Sequence, residues 1–439
     1  MKDLRFLTNG LRAGLLSIAA AASVLAQTTP WQLTTLTSFV SISEESGAYP
    51  YSGVVIGKGG VLYGVDPSTF GAGGGNGVVY QLVPPASPGG AWTENVRYLF
   101  PGFEPVGIGP LGGLVFGGNG VIYGTTSKGG TSGDGIVFSL VPTPGDYYWP
   151  LKVLYNFAGD TDGASPQSSL VIGKGGVLYG TTLYGGTGQC FVYEQPTGCG
   201  TVFSLTPPKS PGGAWTEAVL YTFTGKGDGA QPNGIALNPG GVLYGTTQVD
   251  GIASCLNGQG CGTVFSLTPP SAPGGSWTLD TIYQFGSSPD AAHPEAAVLI
   301  DGGVLYGSTG QGGQLGFGTV FSLAPPAAPG GAWTETILYD FVNPFVEGSI
   351  PHGLTLGRNG VIYGTNEAGG SLRNGTVFSL TPPTAAGGSW TAQALYTFTG
   401  GDDGSTPLGT LVIGNSGVLY GTTGSGGSIA NGTVFQLAP

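Results

Sequence analysis

The stretch Gly-Val-Leu-Tyr-Gly-Thr-Thr at residues 176–182, followed by Gly-Thr-Val-Phe-Ser-Leu at residues 200–205, recurs in varied form seven times along the 439-residue chain. The tyrosine of the first motif marks each copy, and consecutive copies lie 56 to 65 residues apart: Tyr63, Tyr123, Tyr179, Tyr244, Tyr306, Tyr363 and Tyr420. A period of this length is typical of supersecondary units that stack around a shared core. The sequence therefore predicts a repeat architecture with seven units.

Each repeat divides into four short apolar or alternating runs. In the third repeat these runs cover residues 169–172, 177–182, 201–206 and 215–223. The chain holds 87 Gly and 33 Pro, a content that also occurs in disordered chains, but here both residues recur at fixed places between the runs. Four short strands joined by turns form an antiparallel meander, which is the blade of a β-propeller. We therefore expect an all-β fold.

The two ends of the chain carry complementary parts of one blade. The first predicted strand, at residues 30–40, matches the fourth strand of a repeat, whereas residues 408–438 match the first three. A linear solenoid would leave both parts unpaired, but a ring in which the N-terminal strand completes the last blade removes the exposed sheet edges. We therefore predict a seven-bladed β-propeller of four-stranded antiparallel blades, forming a single domain over residues 27–439.

A Trp and a Phe eight residues later mark the fourth strand of all seven copies, as in Trp333 and Phe341. An even separation places both rings on the same face of a regular strand. We interpret these aromatics as packing between neighbouring blades, rather than as a stripe of ligand contacts.

The first 26 residues have the features of a secretory signal. Lys2, Arg5 and Arg12 give a basic start, an apolar run covers residues 13–22, and residues 24–26 match the small-x-small cleavage pattern. We expect residues 1–26 to be removed and the protein to be secreted or extracellular. The periplasm and the cell surface are alternative locations. The alternative is an uncleaved membrane anchor. No later segment is long and apolar enough to cross a membrane.

The chain is acidic, with 24 acidic and 12 basic side chains and a net charge of −12. Removal of residues 1–26 leaves 23 acidic and 9 basic side chains, so the net charge becomes 9 − 23 = −14. Nucleic-acid binding requires clustered Lys and Arg to contact phosphates. Nine basic residues scattered over seven repeats form no such cluster, and we therefore exclude nucleic acid as a partner.

The four cysteines form two close pairs in neighbouring repeats. An even number of cysteines at short spacing in an exported protein indicates disulfides. Cys199 and Cys261 occupy the same repeat position, just before Gly-Thr-Val-Phe, so two local bonds are expected, Cys190–Cys199 and Cys255–Cys261. A zinc site needs four converging ligands, and both histidines lie in later repeats. We expect no metal site and no cofactor.

The strand order decides which loops share a face of the propeller. The loop between the second and third strands and the link to the next blade emerge at one end, and both are long and variable, which is typical of a binding face. Most links carry an acid before a Pro, at Glu45, Asp162, Asp228, Asp290, Glu347 and Asp403. These carboxylates either ring the channel mouth, where they bind a cation or sugar hydroxyls, or they stabilise turns through nearby backbone groups.

The longest loop on the same face covers residues 184–199 and presents Tyr184 and Tyr193. Aromatic rings on a disulfide-bonded loop are suited to stacking on sugars or on a partner protein, with local packing as the alternative. The two histidines, His293 and His352, each lie beside a Pro and are expected to be exposed loop residues rather than catalysts. The sequence contains neither a Ser-His-Asp arrangement nor a Gly-x-Ser-x-Gly motif.

The repeats resemble GloVer tandem repeats, which occur in exported bacterial proteins described as choice-of-anchor proteins. The resemblance covers nearly the whole mature chain through two motifs: Leu-Tyr-Gly-Thr-Thr at residues 178–182, 243–247 and 419–423, and Gly-Thr-Val-Phe at residues 200–203, 262–265 and 375–378. It implies an extracellular or surface location and no known activity. Some members carry a C-terminal sorting anchor, whereas this sequence stops at Pro439 within its last blade.

These observations favour a secreted, monomeric, non-enzymatic binding or scaffold protein that recognises glycans or a surface partner. The first alternative is a propeller hydrolase or lyase acting on polysaccharide, and the second is a purely structural surface repeat protein. A buried carboxylate pair with a raised pKa near the channel mouth would favour the enzyme. A shallow face lined by aromatics and exposed acids would favour binding.

Overall fold

The computed structural model describes residues 31–439 except residues 40–47, 69–75, 88, 103–104, 193–194, 251–254, 256–259, 273, 287, 329 and 386. The described chain forms seven antiparallel β-sheets, each with a path of four strands. The prediction of an all-β, seven-bladed propeller is therefore confirmed. The predicted signal segment, residues 1–26, lies outside the described residues.

The blades follow one another along the chain, and each is given from its first to its fourth strand. Blade 1 comprises Val55–Ile56, Leu62–Asp66, Val78–Val83 and Thr93–Leu99. Blade 2 comprises Val115–Phe116, Ile122–Thr126, Ile136–Leu140 and Leu151–Asn156. Blade 3 comprises Val171–Ile172, Leu178–Thr182, Thr201–Thr206 and Thr216–Thr222. Blade 4 comprises Ala230–Leu237, Leu243–Val249, Thr263–Thr268 and Thr278–Gln284.

In blades 5 and 6 the first strand is split into two short segments. Blade 5 comprises Ala291–Pro294 with Leu299–Asp301, then Val304–Gly312, Thr319–Ala324 and Thr334–Asp340. Blade 6 comprises Ser349–Pro351 with Thr355–Leu356, then Ile362–Ala368, Thr376–Thr381 and Thr391–Thr397. Blade 7 comprises Val412–Ile413, Leu419–Thr423, Thr433–Ala438 and the N-terminal strand Gln32–Ser38.

The remaining elements are short. Two-stranded sheets pair Gly107–Ile108 with Lys128–Gly129 and Phe191–Val192 with Gln195–Pro196. Short 3-10 turns join the first two strands in five blades: Lys58–Gly60, Gly118–Gly120, Lys174–Gly176, Arg358–Gly360 and Asn415–Gly417.

The N-terminal strand closes the ring. Gln32–Ser38 pairs antiparallel with Thr433–Ala438, from Gln32 opposite Ala438 to Ser38 opposite Thr433. The prediction that the two ends of the chain complete one blade is therefore confirmed.

A β-bulge interrupts the fourth strand of every blade, shown here for blade 5. Val320 pairs with Tyr339, but the next residue, Phe321, pairs with Ile337, so Leu338 is an extra residue in the fourth strand. An extra residue reverses the alternation of faces beyond it. The same shift occurs in the other six blades.

The bulge corrects the expectation that the strand's Trp and Phe share a face. In blade 5 the Trp333 ring contacts Tyr244 of blade 4, whereas the Phe341 ring contacts Phe378 of blade 6. The fourth strand of blade 5 thus packs against both neighbouring blades. The interpretation of these aromatics as packing between blades is confirmed, because every Trp contacts the preceding blade and every Phe contacts the following one.

A second contact joins each blade to the one before it, through the Pro at the start of the first strand. In blade 6, Ile350 has φ 60° and donates its N–H to the carbonyl oxygen of Phe317 in blade 5, at 3.0 Å. Pro351 then lies over Gly318, the glycine of Gly-Thr-Val-Phe. A Cβ on Gly318 would stand 2.6 Å from Pro351 Cδ, and its φ is 93°. Only glycine fits here without strain.

Candidate functional site

Links and second-to-third-strand loops emerge together, as the strand order predicts. Ala164 in the link before blade 3 bridges Tyr184 in the loop of that blade, and Ser405 bridges Ser425 in blade 7. We call this end of the propeller the link face. The opposite end carries the turns between third and fourth strands.

The acidic links that follow blades 2, 3, 4 and 6 share one hydrogen-bond geometry. Tyr221 Oη donates to Asp228 Oδ2 at 2.9 Å, and the Thr224 N–H donates to the same oxygen at 2.8 Å. Asp162, Asp290 and Asp403 accept equivalent bonds from the Tyr seven residues earlier and the backbone N–H four residues earlier. These carboxylates hold their links in place, which favours the turn interpretation.

The other predicted site residues have different surroundings. Glu347 Oε2 accepts the backbone N–H groups of Val342 and Asn343, both at 3.3 Å. Tyr184 is half-buried, and its backbone pairs with Ala164. Glu45 and Tyr193 lie outside the described residues. Whether these acids and aromatics bind a ligand stays a prediction.

Both predicted disulfides are confirmed. Cys190 is bonded to Cys199 and Cys255 to Cys261, and the Cα atoms are 5.1 Å apart in each pair. The first disulfide lies against Gly225 in the link that follows blade 3. It therefore ties the longest link-face loop to the body of the propeller, and Phe191 beside it is exposed.

A cavity of about 600 Å³ opens where the first strands of all seven blades meet. Each blade contributes the residue directly after its link Pro, and we call these seven residues the mouth ring: Tyr51, Leu111, Gln167, Asn233, Glu295, His352 and Leu408. Because each follows a link, the ring stands at the link-face end of the channel. The volume lies within the range usual for small-molecule sites.

The channel below the mouth ring is lined by small side chains, at least one from each blade: Gly53, Gly113, Ser169, Gly234, Ala297, Gly353 and Gly409. The inner strands approach closely there, since a Cβ on Gly53 would lie 2.1 Å from the Thr410 carbonyl oxygen. Small residues therefore let the strands converge while leaving space under the ring.

The mouth ring divides into two arcs. Gln167, Asn233, Glu295 and His352 come from the consecutive blades 3 to 6 and form a polar arc, whereas blades 7, 1 and 2 contribute an apolar arc of Leu408, Tyr51 and Leu111. Tyr51 is 49% exposed. A ligand in the mouth would meet hydrogen-bonding groups on one side and an apolar wall on the other.

Two residues from the second strands of blades 4 and 6 extend the polar arc. Glu367 Oε2 lies 3.0 Å from His352 Nε2, and Gln248 Nε2 donates to Glu295 Oε2 at 3.4 Å. Asn233 Nδ2 donates to the carbonyl oxygen of Pro294, which ties blade 4 to blade 5. The arc therefore combines amide, imidazole and carboxyl groups at one edge of the cavity.

The two carboxyl groups of this cluster have pKa values shifted in opposite directions. Burial raises the pKa of Glu295, and the Glu367 charge adds to the rise, while His352 and Gln248 oppose it. The hydrogen bond from His352 lowers the pKa of Glu367 despite partial burial. Environments that separate two carboxyl pKa values are common at functional sites.

Sequence reasoning missed the mouth ring and misplaced the histidines. His293 is 9% exposed and lies within the strand Ala291–Pro294, and His352 is half-buried in the cavity wall. Both were expected to be exposed loop residues, but the strand segment Ala291–Pro294 buries His293, and His352 directly follows the segment Ser349–Pro351 in the cavity wall. The position after each link Pro was a readable signal, because that Pro recurs in every repeat close to the innermost strand.

An exposed apolar patch lies on the link face at blades 5 and 6. Its members are exposed in the link before blade 6 and in adjacent second-to-third-strand loops: Leu315, Val342, Phe345, Val346 and Leu372. The guanidinium of Arg373 stands 5.0 Å from the centre of the Phe345 ring. Patches of this kind on a loop face are suited to protein contacts.

Two features are absent from the described residues. No helix among them has the length and apolarity needed to span a bilayer. Within the same ranges, no group of three or more His, Cys, Asp or Glu side chains is placed to hold a metal ion.

Comparison with known proteins places the repeats in a family. The sequence model of the Gloeobacter/Verrucomicrobia repeat matches residues 21–193 and 189–435. No curated protein matches the chain at a significant level.

Solved structures share the fold at low sequence identity. A candidate 6-phosphogluconolactonase from Bacteroides uniformis is 15% identical with a TM-score of 0.50, over 84% of this chain and 89% of that protein. A fungal alcohol oxidase in complex with copper is 14% identical with a TM-score of 0.53, over 93% of this chain and 76% of that protein. At such identities the likeness concerns the fold alone.

Proposed function

This chain belongs to the Gloeobacter/Verrucomicrobia repeat family, and we propose that it is an exported, non-enzymatic propeller that binds a glycan on its link face. The ligand sits in the mouth of the central cavity, between the polar and the apolar arc. A sugar has hydroxyl groups around its rim and an apolar face of C–H groups, and the mouth ring offers partners for both. The division of the ring into two arcs is the observation that carries this proposal.

Export is part of the proposal. The N-terminal signal features lie outside the described residues, but two disulfides are typical of an oxidising compartment. The acidic surface and the scattered Lys and Arg side chains support a neutral or cationic ligand over a nucleic acid. We further propose that the protein acts as a monomer, because ring closure pairs its terminal strands.

The test is a glycan-array screen of the chain that begins at Gln27, followed by titration of each hit. We expect Tyr51→Ala to weaken binding about tenfold or more, because it removes the exposed ring of the apolar arc. Tyr147→Ala is the matched control. Tyr147 is also an exposed tyrosine, but it lies in the turn between the third and fourth strands of blade 2, at the opposite end.

A screen with no hit, or a hit that Tyr147→Ala weakens more than Tyr51→Ala does, would contradict the proposal. The first outcome would favour a structural surface protein. The apolar patch around Phe345 would then be the leading contact surface for a protein partner.

A second function, a hydrolase or lyase acting on polysaccharide, is favoured by one observation. Glu295 and Glu367 both belong to the polar cluster around His352, and their pKa values are shifted in opposite directions. A carboxyl group with a raised pKa near one with a lowered pKa is suited to acid–base catalysis. Release of reducing ends from a bound glycan, lost in Glu295→Gln, would establish catalysis, whereas binding without turnover supports the first function.

A further inference from the structure

We propose that the mouth ring selects a sugar unit that carries a protonated amine, such as glucosamine at the end of a glycan chain. This inference rests on the proposed function, because it names the ligand class of the same site. Three features carry it: the charge of the mouth, the partners of Glu295 and the shape of the ring.

The charged groups at the mouth are mainly acidic. Glu295 lines the cavity, and Glu367 joins it through His352. The nine Lys and Arg side chains of the described residues all lie outside the cavity lining. An anionic sugar entering the mouth would face two carboxyl groups without a fixed cation, so sugar acids and sugar phosphates are disfavoured. The same two carboxyl groups would attract a cationic sugar.

Glu295 lacks the close hydrogen-bond partner that Glu367 has in His352. The described residues give the Glu295 side chain one hydrogen bond, the long one from Gln248 Nε2 at 3.4 Å. Glu367 is held 3.0 Å from His352. An ammonium group has three N–H donors, and a charge-assisted hydrogen bond to a carboxylate is about twice as strong as a neutral one. The amine of a bound sugar therefore supplies what Glu295 lacks.

The remaining ring residues suit the carbon body of a sugar. Asn233 and Gln167 stand on the same arc as Glu295 and present amide groups for hydroxyls, while Tyr51 faces them from the apolar arc. The cavity of about 600 Å³ is large enough for a sugar unit and part of the next one.

Binding of an ammonium group is linked to protonation of Glu295. Burial raises the pKa of Glu295 in the free protein, and a bound cation lowers it again, so binding releases a proton. The titratable groups that act on Glu295 are His352 and Glu367. Protonation of Glu295 at low pH removes the carboxylate that would hold the ammonium group, so binding weakens there. Affinity should therefore rise with pH until the amine itself loses its proton.

The experiment is isothermal titration of the chain that begins at Gln27 with β-1,4-linked trimers of glucosamine, N-acetylglucosamine and glucose. The first and third differ by an amine in place of a hydroxyl, and acetylation removes the charge. We expect glucosamine to bind at least about tenfold more tightly than glucose at pH 7 and to lose affinity at pH 5. Titration in buffers of different ionisation enthalpy should show proton release.

The variant Glu295→Gln tests whether Glu295 selects the amine. It should remove most of the preference for glucosamine over glucose and the proton release, while glucose still binds. Glu335→Gln is the matched control, because Glu335 is another partly buried Glu that lies in the fourth strand of blade 5, outside the cavity lining. Melting curves of both variants confirm folding.

Equal affinity for the glucosamine and glucose trimers, or an unchanged preference in Glu295→Gln, would overturn the amine inference while leaving glycan binding intact. Absence of binding by every glycan on the array would overturn both proposals.

Discussion

Trp31 packs edge-on against Tyr363, with ring centroids 6.2 Å apart. The first residue of the described chain thus contacts blade 6, although 332 positions separate the two residues in the sequence. Each of the other six blade joints contains the same Trp–Tyr pair. The joint made by the N-terminal strand is therefore equivalent to the joints between consecutive blades.

Deletion of residues 28–39 should destabilise the protein and cause aggregation. It exposes the edge of Thr433–Ala438 and removes Trp31 and Phe39 from two joints. Thermal melting and size-exclusion chromatography check this, with the chain that begins at Gln27 as control. A deletion variant that stays monomeric with the same melting temperature would show that the strand is dispensable for closure.

Gly318→Ala should lower the free energy of unfolding by about 2 kcal/mol or more, because a left-handed non-glycine residue costs about 1–3 kcal/mol and crowding adds to it. The new Cβ would stand 2.3 Å from the Thr309 carbonyl oxygen and 2.6 Å from Pro351 Cδ. Gly330→Ala is the control, since Gly330 has φ 78° but no atom within 4 Å. Equal losses in urea unfolding of both variants would mean that only the backbone conformation matters.

Stability should fall as the pH rises from 5.5 to 8. Burial, followed by the charge of a nearby Asp, raises the pKa of Glu335 and of Glu217 from 4.5 to about 7. A carboxyl group with a raised pKa takes up a proton on folding, so its contribution is present below pH 4.5 and is lost as the pH rises through 7. Glu335→Gln should raise the melting temperature at pH 8 by about 1–2 °C.

The control for that measurement is Asp301→Asn, which changes an exposed acid. A Glu335→Gln variant that melts like the parent at both pH values would show that Glu335 titrates normally in the folded protein.

Reduction of both disulfides should lower stability without unfolding the ring. The closed loops span sequence separations of 9 and 6 residues, so each bond contributes about 2–3 kcal/mol in the chain-entropy model. Melting curves of Cys190→Ser/Cys199→Ser and Cys255→Ser/Cys261→Ser should show separate decreases. A larger effect of the first pair on glycan binding would indicate that the loop of residues 184–199 contacts the ligand.

Asp228→Asn should lower the free energy of unfolding by about 1 kcal/mol and leave glycan binding unchanged. Asp228 accepts hydrogen bonds from Thr224 and Lys226 in its own link and from Tyr221 in the preceding strand. Asp402→Asn, in the link to blade 7, is an exposed control. If Asp228→Asn abolished binding while the melting temperature stayed the same, the acidic links would be ligand contacts.

The number and order of blades were readable from the sequence because the motifs recur with every turn of the ring. The bulge could not be read from the sequence, because nothing in the residue type of Leu338 marks it as an extra residue. Only the strand partners of Val320 and Phe321 reveal it. The mouth ring was missed for a related reason. Its residues, such as Tyr51 and Glu295, differ from copy to copy, so no recurring motif marks them.

The split of one blade between the two ends has a consequence for the growth of such proteins. Read from the N-terminal strand, each repeat of the sequence consists of the fourth strand of one blade and the first three strands of the next blade. The repeat is therefore offset by one strand from the blade. Gain or loss of a whole sequence unit leaves the ends complementary. Propellers of different blade number are therefore accessible by duplication without a new closing device.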